Sequence, residues 1–375
     1  MNEGKRHDVE TEAAATEALQ APLLSVVLAT YNRLAMLERL LGELAWQTLR
    51  PDRFEVVVVD DGSAIPVRLH IDPASQPYRL VLLEQANAGP AAARHHGILR
   101  ARGEIIVTLD DDMEIGPRFL EAHLAHHEPG SRRAVVGRFL PDPEIRRKPI
   151  FERYEVHKWD QFARAVAAGR ARIDGGSFAS GNASFRRDDY LRVGGFETWL
   201  ARAEDVSLGF KLEEAGVELV LSESACSVHR SDQLRPETWR RRARLHGALE
   251  VRIARMHPAL PHADPMRYAF SLPAVGRLVC LTSVLSPSLA TRLADAAFAG
   301  AEVADRAGLD RAALRAAGLV YGLEYFRGVG AEAGSLRALA SSCLAFLHKA
   351  DRASRPLPGV PRWLPRAARR LAPAR

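Results

Sequence analysis

Cysteine is scarce in this chain, and the little there is cannot staple a fold. Its three cysteines, Cys226, Cys280 and Cys343, are odd in number, far apart and without a C-x-x-C pair. That argues against a disulfide framework or a thiolate zinc site and suits a reducing compartment. Long apolar runs are missing too. The longest weakly charged stretch, Leu278 to Thr291, is broken by Ser283, Ser286, Pro287 and Ser288, well short of the ~20 apolar residues of a spanning helix. The opening residues, MNEGKRHDVETEAAATEALQ, are polar and acidic with no apolar run behind their few basic side chains. Residues 1–22 therefore read as a flexible leader rather than a signal peptide, and the expected location is the cytoplasm. No repeat of solenoid length, zinc finger or RNA-recognition motif occurs, so no nucleic-acid partner is expected.

What is present is a globular composition, 375 residues with 47% hydrophobic and 26% charged, enough for one large domain or two moderate ones. The net charge of +6 hides an asymmetry, −6 over residues 1–230 against +12 over residues 231–375. A basic C-terminal half could face anionic lipid, nucleic acid, an acidic glycan or only solvent, and charge alone does not choose.

The segments LLSVVLAT and FEVVVVDDGS read as buried parallel strands, and Leu34, Leu37, Leu41 and Leu44 between them share one helical face. The unit recurs as YRLVLLE, GPAAARHHGILRAR and EIIVTLDDD. This alternation predicts an α/β fold, a twisted and mostly parallel sheet with helices on both faces. Ligands of such sheets bind beyond the carboxyl ends of the strands, here Ala29 to Arg33, Asp60 to Ser63 and Asp110 to Asp112. Residues 141–149 read as a loop, followed by a helical patch with Tyr154, Trp159 and Phe162. After Ser231 the pattern turns to arginine-rich helices, clearest over Glu237 to Met256 and Leu289 to Ala317, and residues 351–375 form a basic, proline- and arginine-rich tail.

Four acidic or histidine sites carry chemistry. Asp60 and Asp61 end a buried strand, where they either close a turn or accept hydrogen bonds from a nucleobase or ribose. Asp110, Asp111 and Asp112 form a like-charged triplet that calls for a cation. Their hard oxygens suit Mg2+ or Mn2+, with Asp110 and Asp112 on one side of an extended segment and Asp111 on the other. Glu204 and Asp205 precede an amphipathic segment, and Asp205 is either a helix cap or a general base. His229 is either a core histidine or a nitrogen ligand to the same metal.

In this order, SVVLATYNR, VVVVDDGS, NAGPAAARHHGI, EIIVTLDDDMEI, GNASFRRDDYLRVGGFE, AEDVSLGFKL and VHR resemble the family 2 glycosyltransferases of the GT-A fold, over roughly residues 23–230. The resemblance implies that Tyr31 stacks on the donor base, Arg33 lies near the phosphates, Asp61 reads the base, usually uracil, and Arg94 helps to bind the nucleotide. It further implies that Asp110 and Asp111 approach ribose or diphosphate, that Asp112 holds the metal and that His229 completes the metal site. Asp205, with Glu204 beside it, would be the base, and Gly194 and Gly195 would lie in the acceptor and donor-sugar loop. His95 stands where the family commonly has Asn, and the helical region over residues 231–350 matches nothing named.

The expected function is thus an inverting, metal-dependent transfer of a hexosyl or N-acetylhexosaminyl group from a nucleotide-sugar, UDP-linked by the resemblance, to a glycan or lipid-linked acceptor in surface or secreted polysaccharide biosynthesis. The basic C-terminal half would rest on an anionic membrane surface through its arginines and Trp363. A non-catalytic nucleotide-sugar-binding module would keep the fold without the acidic residues. A nucleotidyltransferase would need a glycine-rich basic loop after the first strand, and LATYNR is not one.

Overall fold

The computed structural model of the chain describes residues 22–230 and 235–352. All but the innermost residues of the expected leader and tail, Trp363 included, lie outside the described residues. Four apolar segments rich in Val, Ile and Leu become strands β1 (Leu24–Thr30), β2 (Phe54–Asp60), β3 (Arg79–Glu84) and β4 (Ile105–Asp110). They are followed by β5 (Met113–Ile115), β6 (Arg133–Leu140), β7 (Asn182–Arg186) and β8 (Glu218–His229). All join one eight-stranded sheet in the order β3-β2-β1-β4-β7-β6-β8-β5. β3, β2, β1 and β4 run parallel, as the repeated apolar runs require. The other half is mixed: β7 is antiparallel to β4 and β6, β8 is parallel to β6, and β5 is antiparallel to β8.

Strand alternation assigns the two faces of the parallel half. Val26, Leu28, Val56 and Val58 share a core with Leu37, Leu40, Leu41 and Leu44 of helix α1 (Leu34–Ala45). Val27, Val57 and Val59 lie under Gly97 of α2 (Pro90–Arg100), where an added Cβ would come within 2.6 Å of Val27 Cγ1. The register sets Thr30 opposite Asp60 and Ala29 opposite Asp110. The polar strand exits therefore line up on one edge, where this fold class binds ligands.

The remaining helices are α3 (Phe119–Leu124), α4 (Ile150–Ala167), α5 (Arg187–Arg192), α6 (Glu204–Glu214), α7 (Pro236–Met256), α8 (Met266–Ser271), α9 (Ala274–Leu285), α10 (Pro287–Arg306), α11 (Asp310–Ala333) and α12 (Leu336–Arg352). The contacts divide the chain into two compact units. The first comprises residues up to 140, 178–201 and 212–230; the second comprises residues 141–177, 202–211 and those from 231 onward. Residues 141–177 and 202–211, inside the 23–230 span read from the sequence, thus group with the helical segment.

In the helical unit α7 and α11 cross with almost no gap. A Cβ on Gly247 would fall 2.1 Å from Tyr325 O, and one on Gly328 would fall 1.8 Å from Arg244 O, so only glycine permits the crossing. The expected continuous helix over Leu289 to Ala317 is two helices, α10 and α11, parted at Gly308, whose φ of +71° breaks the helical run. Among the described residues no helix is long and apolar enough to cross a membrane.

Candidate active site

β4 stops at Asp110, and Asp111 and Asp112 form a turn before β5 begins. The alternation of an extended segment therefore does not hold, and the expected pairing of Asp110 with Asp112 is replaced by another arrangement. Asp110 is ion-paired with Arg94 of α2. An added Cβ on Gly181 would lie 2.6 Å from Asp110 Oδ2. Asp111 accepts hydrogen bonds from Thr30 Oγ1 at 2.8 Å and Arg33 Nη1 at 3.0 Å. The same Arg33 nitrogen donates to Asp112 Oδ2 at 2.9 Å. Two guanidinium groups thus offset the charge of the triplet.

His229 reaches this turn through backbone pairing. Met113 of β5 lies opposite His229 of β8, and Arg230 N donates to Asp112 O at 2.9 Å. The imidazole Nε2 consequently stands 3.4 Å from Asp112 Oδ2. The other carboxylate oxygen, Asp112 Oδ1, is buried without a hydrogen-bond partner. Burial pushes the Asp111 carboxyl up to about 6, against the lowering effect of Thr30 and Arg33. At Asp112 burial also raises the pKa, but His229 and Arg33 outweigh it and hold the group below the usual carboxylate range.

An uncommitted buried carboxylate oxygen beside an imidazole nitrogen is a donor set that fits Mn2+ or Mg2+. Among the described residues no three His, Cys, Asp or Glu side chains gather into a metal cage. Asp110 is ion-paired with Arg94, while Asp112 and His229 stand side by side.

At the end of β2, both aspartates organise loops. Asp60 accepts from Ser63 N at 2.9 Å and Val67 N at 3.0 Å. Asp61 accepts from Gln85 Nε2 at 2.8 Å, Ala88 N at 2.9 Å and Gly89 N at 2.8 Å, which fixes the entry to α2. Tyr31 is about half exposed. Asn32, which the motif reading passes over, takes the left-handed conformation with φ of +55° and accepts from Ala64 N at 2.8 Å, tying the β1 loop to the β2 loop. Its identity was a usable signal, since Asn tolerates that conformation better than most residues.

A second contact the sequence did not reveal joins α2 to the glycine turn. His95 Nδ1 lies 2.7 Å from Tyr190 Oη, which also accepts from Phe196 N at 3.2 Å. Gly194 and Gly195 have φ of +79° and +68°. A Cβ on Gly195 would stand 2.7 Å from the Tyr190 ring.

Glu204 and Asp205 belong to the helical unit. α6 begins at Glu204, so Asp205 sits inside its first turn rather than at the cap position, and its Oδ1 accepts from Val206 N at 2.8 Å. The helix dipole favours both carboxylates there.

Residues 25–194 match the model of "Glycosyl transferase family 2". A validoxylamine A glucosyltransferase of Streptomyces hygroscopicus subsp. limoneus is 30% identical over 232 residues, covering 55% of this chain and 51% of that protein. A pre-mycofactocin glycosyltransferase of Mycobacterium tuberculosis is 28% identical over 236 residues, 63% of this chain and 48% of that one. The chain thus spans about half the length of these curated relatives. Among solved structures, a mannosyltransferase from Pyrobaculum calidifontis in complex with GDP-Man and Mn2+ superposes with a TM-score of 0.56 at 23% identity, covering 80% of this chain and 86% of that one. The fold is of the GT-A type, and residues 25–194, a little under half of the chain, are similar to glycosyl transferase family 2.

Proposed function

We infer that the chain is an inverting, metal-dependent glycosyltransferase that moves a sugar from a nucleotide-sugar, a UDP-sugar in the first instance, to a hydroxyl of a glycan or lipid-linked acceptor in surface or secreted polysaccharide biosynthesis. The observation that carries the reading is the buried, unpartnered Asp112 Oδ1 between Arg33 and His229, at the carboxyl edge of the parallel strands in a chain similar to this family. In this reading the catalytic region runs over residues 23–230 and the helical region over residues 231–350. The protein works in the cytoplasm, peripheral to the membrane, with its basic C-terminal half toward anionic lipid.

Tyr31 stacks on the donor base, and Asp61 recognises the base through the loop it orders. Arg94 and Asp110 together, with Asp111, address the ribose and diphosphate. Arg33 turns from its two aspartates toward the phosphates as the donor arrives. Asp110, Asp112 and His229 would hold Mn2+ or Mg2+, which when bound would neutralise charge on the departing diphosphate. Asp205 removes the proton of the attacking hydroxyl, with Glu204 beside it, on the strength of their sequence pattern. A single displacement with one base inverts the anomeric configuration.

The test is donor hydrolysis by purified protein with Mn2+ or Mg2+ against UDP-, GDP- and dTDP-sugars, beside Asp112→Ala and Asp205→Asn. Validoxylamine A belongs in the acceptor panel, because the name of one relative carries it. Metal-dependent release of one nucleotide, cut by about a hundredfold or more in Asp112→Ala, is the expected result. Donor binding without turnover under any condition would favour the non-catalytic binding module; no nucleotide binding at all would sink the reading.

A further inference from the structure

We propose that the outer face of α9 is the part of the chain that enters a lipid surface, and that its partner is the anionic headgroup layer of a bilayer. The proposal deepens the membrane reading above and rests on it. Val275, Leu278 and Leu285 are 76%, 68% and 67% exposed, and Leu289 at the start of α10 is 45% exposed. The spacing of the first three puts them on one helical face. The opposite face is occupied: Cys280 and Val284 belong to the core that α11 builds with Tyr325, Phe326 and Val329. A row of large aliphatic side chains left in water is unusual for a soluble surface and marks an interaction site.

Charge selects the occupant. From Ser271 to Thr291 there is no acidic residue and one basic residue, Arg277. The Arg277 guanidinium donates to the carbonyls of Ala269 at 3.0 Å, Phe270 at 3.2 Å and Leu272 at 3.1 Å. The apolar face thus has no carboxylate of its own segment to repel anionic lipid. Residues 235–352 carry a net charge of +7. That charge opposes pairing with a second copy through the same face and favours an anionic surface. An apolar helix face on a basic body, too short to span, is the arrangement of interfacial binding.

The experiment is co-sedimentation of the full chain with phosphatidylcholine vesicles, with and without phosphatidylglycerol, for the natural protein and for Leu278→Glu combined with Leu285→Glu. The natural protein should bind the anionic vesicles, and the double variant should bind them about tenfold or more weakly, with melting temperature and donor turnover in solution unchanged. If the glutamates lower the melting temperature, the same pair changed to Gln replaces them. Equal binding by natural and double-variant protein would overturn the assignment to α9 and leave the membrane reading to the basic tail. Absence of binding by the natural protein would remove both. A dimer in light scattering that the double variant dissociates, without vesicle binding, would give the face to a second copy.

Discussion

In the sheet unit, Asp111 and Asp112 share one guanidinium group, and a buried oxygen of Asp112 has no hydrogen bond. In the helical unit, Glu324 is completely buried, yet its oxygens take hydrogen bonds from Arg240, Arg244 and Arg327 at 2.8 to 3.0 Å. Glu250 is likewise bound by His246 at 2.9 Å and by the Tyr325 hydroxyl. The residue types are the same, but the extent of their pairing differs. A buried carboxylate whose bonds are complete fixes the arrangement of its helices, whereas one left incomplete carries free energy that a ligand can recover.

The comparison breaks if Asp112→Ala behaves as a structural mutant. The largest effect expected is its loss of turnover, accompanied by a smaller loss of stability than Glu324→Ala causes, because Asp112 answers one guanidinium group and one imidazole and has an oxygen that bonds nothing, whereas Glu324 holds three arginines. Glu324→Ala should do the reverse. It strands three arginines in the helical core and should destabilise that unit by about 3–5 kcal/mol, read by denaturant unfolding, while nucleotide binding measured on the still-folded fraction persists. If both variants lost stability equally, the distinction between complete and incomplete pairing would fail.

A third effect tests the sheet unit's own structural polar core. His123 is held 2.9 Å from both Ser184 Oγ and Asn182 Oδ1, and His127 Nε2 is 2.8 Å from Ser184 Oγ. Burial is the main cause that pushes His123 down to about 4, and burial with the charges of His123 and Arg186 pushes His127 down to about 3. Above those values both are neutral in the folded chain. Below the ordinary histidine value the unfolded chain takes up protons that the folded one does not. Stability is therefore full above about pH 6.5 and is lost as pH falls toward 4. The His123 share is on the order of 3 kcal/mol. Thermal unfolding across that window should show the decline, and His123→Gln should flatten it; an unchanged slope would remove His123 from the account.

The parallel half of the sheet was readable because apolar run length, helical leucine spacing and strand-end aspartates are local signals, and Asp60, Asp110 and His229 all fall at strand ends. The mixed half was not, since β7 and β6 pair at separations of sequence that no period records. The division of labour in the aspartate triplet was hidden for a related reason. Alternation predicts directions only while the chain stays extended, and it turns after Asp110. The split of Leu289 to Ala317 hung on one glycine, Gly308, whose left-handed conformation is not written in the apolar pattern.

The smallest effect sharpens the comparison at a place where structure and function meet. Tyr190 is fully buried and ring-stacked on Phe185 at 5.4 Å, which is a structural role. Its hydroxyl, however, joins His95, the neighbour of Arg94 on α2, to Phe196, the residue after Gly195. Tyr190→Phe keeps the ring and deletes only these two bonds, so the fold should lose about 1 kcal/mol. If the hydroxyl serves packing alone, turnover follows stability and the donor KM stays fixed. If it positions the glycine turn against α2, the donor KM should rise by about threefold to tenfold while the melting temperature moves by a few degrees.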